Sequence, residues 1–305
     1  MTYYARTIMT TNPPTYQIWQ FDNDLAVLVG VTNPEQTPGG SFRAQPGEPI
    51  LDAIRRQATG WFGLNGESPF HKIDLVPGQY YPRMARPRSP HLKESPGINP
   101  GEAIELNSIA VAHGQLNALT TQLDQICQTV HPTDKTFETF GHSIRNLLIL
   151  ACTEVESHWR GILTANGVVK KAPFTTQDYV VLCKAMRLDE YAVVFPSYPW
   201  IAPKKPFDGW NIGAPTQSLK WYDAYNAVKH DRENKFEQAT LHHAFHAVTA
   251  CGIMMAAQYG LHTGSARRSS LKSFFSFAEV PCWEFNEVYI YPYNVGAWTP
   301  IFFAF

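Results

Sequence analysis

An apolar stripe constrains this chain more than any other feature. Ile144, Leu147, Leu148, Ala151, Val155, Trp159 and Ile162 recur at i, i+3, i+4, i+7, i+11, i+15 and i+18. On a helix of about 3.6 residues per turn that spacing puts all seven on one side. Asn166-Gly167 supplies the helix exit. Such a helix must bury its dry side against other elements, so the chain has to be organised around helix packing.

Partners for it can be read on both sides. From near Ala103, the residues Ile109, Leu116, Leu119, Leu123, Ile126 and Val130 keep helical spacing. Gly114 costs about 1 kcal/mol there without forbidding the helix. His131-Pro132 closes that element, and Thr133 or Asp134 can cap the next. Leu219 to Tyr259 holds no Pro and a single Gly, which predicts a helix or helix pair; Leu241, Ala244, Phe245, Val248, Cys251 and Met255 mark its apolar second half, and Gly260 its end. Residues 168–218 read as a long insertion, with a short helix over Thr176–Arg187 and an aromatic, Pro-rich loop from Phe195 to Phe207 that lays its rings on the core.

The N-terminal region has the period of strands instead. Tyr16–Phe21 and Leu25–Val31, joined by Asp22-Asn23-Asp24, predict a hairpin. Ile50, Leu51, Ile54, Ala58, Trp61 and Phe62 predict a helix ending near Gly63. Ser68–Pro100 is Pro-dense and the most basic stretch, with Arg83, Arg86, Arg88, His91 and Lys93; a linker or arm laid on the core is favoured over a phosphate-backbone site. The tail alternates weakly through Trp283, Phe285, Val288 and Ile290, which predicts strands that join the hairpin in one sheet. The expected fold is mainly α, and α+β overall. Residues 1–100 form a β-rich region with the basic arm, residues 101–262 a four-helix bundle carrying the 168–218 insertion, and residues 263–305 an extension with short strands.

Hydrophobic content of 44% against 17% charged excludes a disordered chain, and a net charge of −1 excludes a protein whose whole surface wraps nucleic acid. Five widely spaced cysteines without a C-x-x-C pair suit buried thiols in a reducing compartment. No apolar run has the ~18 residues of a membrane span. Met1 to Pro14 lacks a charged and then apolar leader, so a cytoplasmic location is expected.

The densest chemistry lies in Leu219–Phe236. On a helix, Asn226 and His230 are one turn apart on one face, and Tyr222 and Asp223 lie one turn before Asn226. Tyr225-Asn226-Ala-Val-Lys229-His230 resembles the signature of the HEPN superfamily: an Arg, a polar residue, three further positions, then His. The match covers six residues and departs from the family at its first position, where Tyr225 replaces Arg. The resemblance implies a helical bundle that dimerises to form a metal-independent ribonuclease site. His230 would serve as the catalytic His and Asn226 as the polar partner, and the positive charge would have to come from Lys229, Arg232 or Arg145. Glu154, at the edge of the buried stripe, would face the same helix together with Arg145. The expected function is an RNA-directed, metal-independent endoribonuclease of a toxin or phage-defence type, acting as a homodimer on RNA. The alternative is a catalytically inactive bundle used for dimerisation or ligand binding, which the missing Arg favours.

Competing sites carry weaker signals. His242 and His246 have the one-turn spacing of a helical metal pair, but no Glu follows His242 and no third ligand is evident, so no metal or other cofactor is expected. Glu156 and Arg160 read as a surface pair worth a few tenths of a kcal/mol. No G-x-S-x-G elbow, phosphate loop or dinucleotide fingerprint is present.

Overall fold

The computed structural model describes residues 1–8, 15–63, 65–86, 99–261, 274–284, 286–293 and 296–305. Of the positions singled out in the sequence, Arg88, His91, Lys93 and Phe285 lie outside the described residues. The chain is α+β and divides into two compact units. One holds the described residues of Met1–Tyr80, Arg86–Ile98 and Cys282–Pro300; the other holds Tyr81–Ala85, Asn99–Pro281 and Ile301–Phe305.

In the first unit, β1 (Thr2–Ile8), β2 (Thr15–Phe21), β3 (Leu25–Leu28), β4 (Ser41–Arg43) and β5 (Phe70–Lys72) form an antiparallel sheet of order β4-β3-β2-β1-β5. The hairpin closes where Asp22 N–H donates to Leu25 O at 2.8 Å. Side chains alternate across a strand. Trp19 and Phe21 therefore pack with Phe42, Phe70 and Ile54 of α1 (Ile50–Gln57), while Ile18 faces the other way, onto Trp283, Val288 and Ile290. The tail does not join this sheet. Thr299–Pro300 instead pairs in parallel with β6 (Gln79–Tyr80), where Gly78 has φ +88° and a Cβ would strike Pro292. Trp283, Val288 and Ile290 of the tail pack on the face of the sheet that carries Ala5 and Ile18.

The second unit is built on helices. After α2 (Gly101–Ile104) come α3 (Leu106–Thr129) and α4 (His142–Ala165). The stripe residues of α4 are sealed: Leu147, Leu148, Ala151, Val155, Trp159 and Ile162 are all 0% exposed. In the insertion lie α5 (Thr176–Tyr179), α6 (Val181–Met186) and β7 (Ala192–Val194). The loop beyond buries Phe195, Ile201, Phe207 and Trp210 and leaves Trp200 exposed. Trp210 stacks on Trp159 with ring centroids 4.8 Å apart. α7 (Lys220–His230), α8 (Arg232–Lys235) and α9 (Leu241–Tyr259) follow, then β8 (Ser276–Glu279) paired with β7.

The most enclosed of these helices is α9. It packs on α3, α4 and α7, and its apolar residues are buried on every side. That is the composition a central helix needs. Gly252 has a reason: a Cβ there would meet the Phe275 ring. Cys127, Cys152, Cys183 and Cys251 are buried free thiols as expected, whereas Cys282 is exposed. No helix among the described residues is long and apolar enough to cross a membrane.

Candidate functional site

α7 is short because Asp231 ends it. The Asp231 carboxylate accepts from the Asn234 backbone N–H at 3.3 Å and side chain at 2.9 Å, which starts α8. The apolar face of α7 is Trp221, Tyr222, Ala224, Tyr225 and Val228. Trp221 Nε1 donates to Pro206 O at 2.7 Å, and the Tyr222 hydroxyl to Glu156 Oε1 at 2.5 Å. Glu156 therefore serves α7, and the expected surface pair with Arg160 does not form.

The residues picked out by the motif separate on this helix. Tyr225 is 1% exposed and belongs to the core. Its hydroxyl accepts from Lys229 Nζ at 2.8 Å. Burial raises the Tyr225 pKa while Lys229 opposes that shift, and the same bond raises the Lys229 pKa. Asn226 is half-buried; Lys229, His230 and Arg232 are exposed. Arg145 reaches α7 from α4, where its Nη2 donates to Val228 O at 3.3 Å, two residues before His230. A cation at a helix C-terminus meets the carbonyls left over there and the negative end of the dipole. Asp231 and Glu233 stand among these cations, so the face is mixed in charge.

A cleft of about 380 Å³ opens between the end of α3 and the first turn of α4; Gln122, Gln125, Thr139, His142 and Ser143 line it. His142 and Arg145 are three residues apart, neighbours on one helical face. The His142 ring lies 4.9 Å from Phe236. The chain from Val228 to Phe236 thus touches the start of α4 at both residues.

Glu154 does not join this group. Its carboxylate is 3.4 Å from His158 Nε2 and feels the charge of Arg83. α4 turns about 100° per residue, so the faces carrying Arg145 and Glu154 diverge. Sequence reasoning missed the cluster to which Glu154 belongs. Arg83 Nε donates to Gln258 Oε1 at 2.8 Å; Gln258 Nε2 meets His158 Nδ1 at 2.9 Å and donates to Met254 O at 2.7 Å. Gly161 makes room for the guanidinium, because a Cβ there would collide with Arg83 Nη1.

Arg83 holds φ +57°, a backbone state that costs an ordinary residue energy and persists only where the surroundings fix it. Asn166 Nδ2 on Pro82 O at 2.9 Å and Ala85 N–H on Ala257 O at 2.8 Å do the fixing. Burial, with Arg83's charge in second place, pushes the His158 pKa down to about 3. Burial raises the pKa values of Glu154, Glu105 and Tyr259, and Arg83 opposes each shift. The Tyr259 hydroxyl is sealed from solvent without a well-formed hydrogen bond. This set ties Tyr81–Ala85 to α4 and α9. No single-sequence signal announces it, apart from a Gln in the apolar second half of α9.

Among the described residues no group of three or more His, Cys, Asp or Glu gathers to hold a metal. Compared with known proteins, the chain matches no family model, no curated protein and no solved structure.

Proposed function

We propose that this chain is an RNA-directed, HEPN-like helical bundle whose working surface is the C-terminal end of α7. In this reading His230 acts as a general acid/base on the ribose 2′-hydroxyl, a role open to an exposed imidazole. Asn226 orients it from one turn earlier. Arg145, with Lys229 and Arg232, offers positive charge to the phosphate, and a second copy of the chain completes the site. The observation that carries the reading is the docking of Arg145 against Val228 O, which brings a guanidinium to the last turn of α7, two residues before exposed His230. It offers the charge that Tyr225 does not.

A second reading has its own support. Tyr225 is in the core and engages Lys229, so the position of the family's Arg has become a packing position. That favours a non-catalytic bundle used for dimerisation or ligand binding. Incubating the full chain with a mixed-sequence RNA pool in the presence of a divalent-ion chelator separates the two. Cleavage leaving 2′,3′-cyclic phosphate ends is expected of the nuclease. RNA left intact by a folded protein favours the module.

A further inference from the structure

Away from α7, the first turns of α9 gather nitrogen groups that neither packing nor the proposed RNA site uses. Lys204 is 9% exposed. Its backbone is clamped to β7 by two hydrogen bonds, Val193 N–H to Lys204 O at 3.0 Å and Lys204 N–H to Val193 O at 2.8 Å. Its ammonium lies 4.6 Å over the Phe137 ring and has no hydrogen-bond or ion-pair partner among the described residues. On α9 the rings of His242 and His246 lie 4.6 Å apart, and His242 packs 5.6 Å from the same Phe137. Neither imidazole is hydrogen-bonded among the described residues. The neighbouring His243 is different, because its Nδ1 is engaged with Gln238 O at 2.8 Å.

The Lys204 side chain is largely buried, but its ammonium finds no acceptor among the described residues and its tip is not sealed from solvent, so its donors are open to an acceptor from solution. Two imidazoles at one-turn spacing would by themselves suit a divalent cation. The charge of Lys204 acts on both rings and has the wrong sign for that. We infer that Lys204, His242 and His246 form a binding site for a compact oxyanion of the sulfate or phosphate type. The ammonium donates one charge-assisted hydrogen bond, and the imidazoles donate through N–H groups.

Charged and titratable neighbours set the pH response. Asp134 acts on Lys204, Glu138 on His242, and His243 on both rings. Burial and the cationic neighbours hold His242 and His246 below the ordinary histidine range. A bound anion reverses the second of these effects, so binding takes up protons and tightens as pH falls.

Calorimetric titration of the full chain with sodium sulfate, at constant ionic strength set by sodium chloride, tests this. Sulfate keeps its charge across the range where phosphate changes its own. One sulfate per chain is expected, bound several-fold more tightly at about pH 6 than at about pH 7.5. Phosphate should compete for it. In an NMR titration the His242 and His246 ring signals should move, while those of His230 stay still; this separates the site from the proposed RNA surface.

Lys204→Met should weaken sulfate binding by ~10-fold or more, with a melting temperature close to wild type because the ammonium has no protein partner to lose. His246→Gln should flatten the pH dependence. Absence of saturable sulfate binding by the wild type, or shifts confined to His230, overturns the inference without any variant. Wild-type affinity in folded Lys204→Met also overturns it.

Discussion

Two polar clusters lie along α4, and the centre of one is buried while the other stands largely in solvent. In its second half His158 is 3% exposed and its partner Gln258 is 0% exposed, with Arg83 folded over them into the space left by Gly161. At its first turns Arg145 docks on the end of α7, beyond which His230 and Arg232 stand in solvent. The buried cluster directs the Arg83–Gln258–His158 hydrogen bonds inward, where Arg83 holds a strained backbone position. In the open one Arg145 and Lys229 are engaged, while no hydrogen bond holds the His230 or Arg232 side chain among the described residues. A dense polar set on a helix therefore has two physical meanings, and burial decides between them. Glu154 shows this on one residue: by spacing it edges the buried face, and in the folded chain it lies 3.4 Å from His158 Nε2 and feels the charge of Arg83.

The comparison can be broken most forcefully at the packing they share. Trp159 is 0% exposed among Trp210, Tyr179 and Tyr222, so Trp159→Ala should cost about 3–5 kcal/mol in urea unfolding. A loss below about 1 kcal/mol would remove the stripe from the core.

Next in size is the sealed network. Gln258→Leu strands the Nε of Arg83 and the Nδ1 of His158, and should cost about 2–4 kcal/mol. Gly161→Ala gives a sign test. In an ordinary helix interior that change gains about 1 kcal/mol. Here the new methyl displaces the guanidinium from Gln258, so a net loss is expected. A stabilised Gly161→Ala protein would show that Arg83 is not held where it is described.

The same network sets a pH dependence. Folded His158 stays neutral down to about 3, while the unfolded chain protonates this residue near ~6.5. Between those values the unfolded state binds more protons, so stability rises with pH across the window and falls as pH drops below ~6.5, at up to about 1.4 kcal/mol per unit. Glu154 and Glu105, raised by burial, act in the opposite sense at the acid end. Replacing His158 by Gln should flatten the melting-temperature curve between about pH 6.5 and pH 5. The smallest effect is expected at the open cluster: Arg145→Met loses one bond to a helix carbonyl, about 1 kcal/mol.

What the sequence disclosed follows the reach of each interaction. The α4 stripe and the β2–β3 hairpin are local periodic patterns, legible because side-chain direction repeats every 3.6 or 2 residues. The position of Tyr225 was legible too. It falls in register with Trp221 and Val228, a stripe that marks it as core, but the likeness to a site motif drew it to the other face. Arg83 was not legible. Its partner Gln258 is 175 residues away, and nothing in a Pro-rich basic stretch marks an arginine that folds inward. Lys204 failed for the same reason, since its ring partners come from two distant segments.

The central claim is that the open end of α7 is chemical and the sealed cluster structural. RNA cleavage and thermal unfolding measured side by side on wild type and His230→Ala test it most directly. The account predicts that cleavage is abolished with the melting temperature within about 1–2 °C of wild type, since an exposed side chain without partners contributes little to stability. A folded His230→Ala protein that cleaves RNA at the wild-type rate, or one that loses stability as a buried residue would, contradicts it.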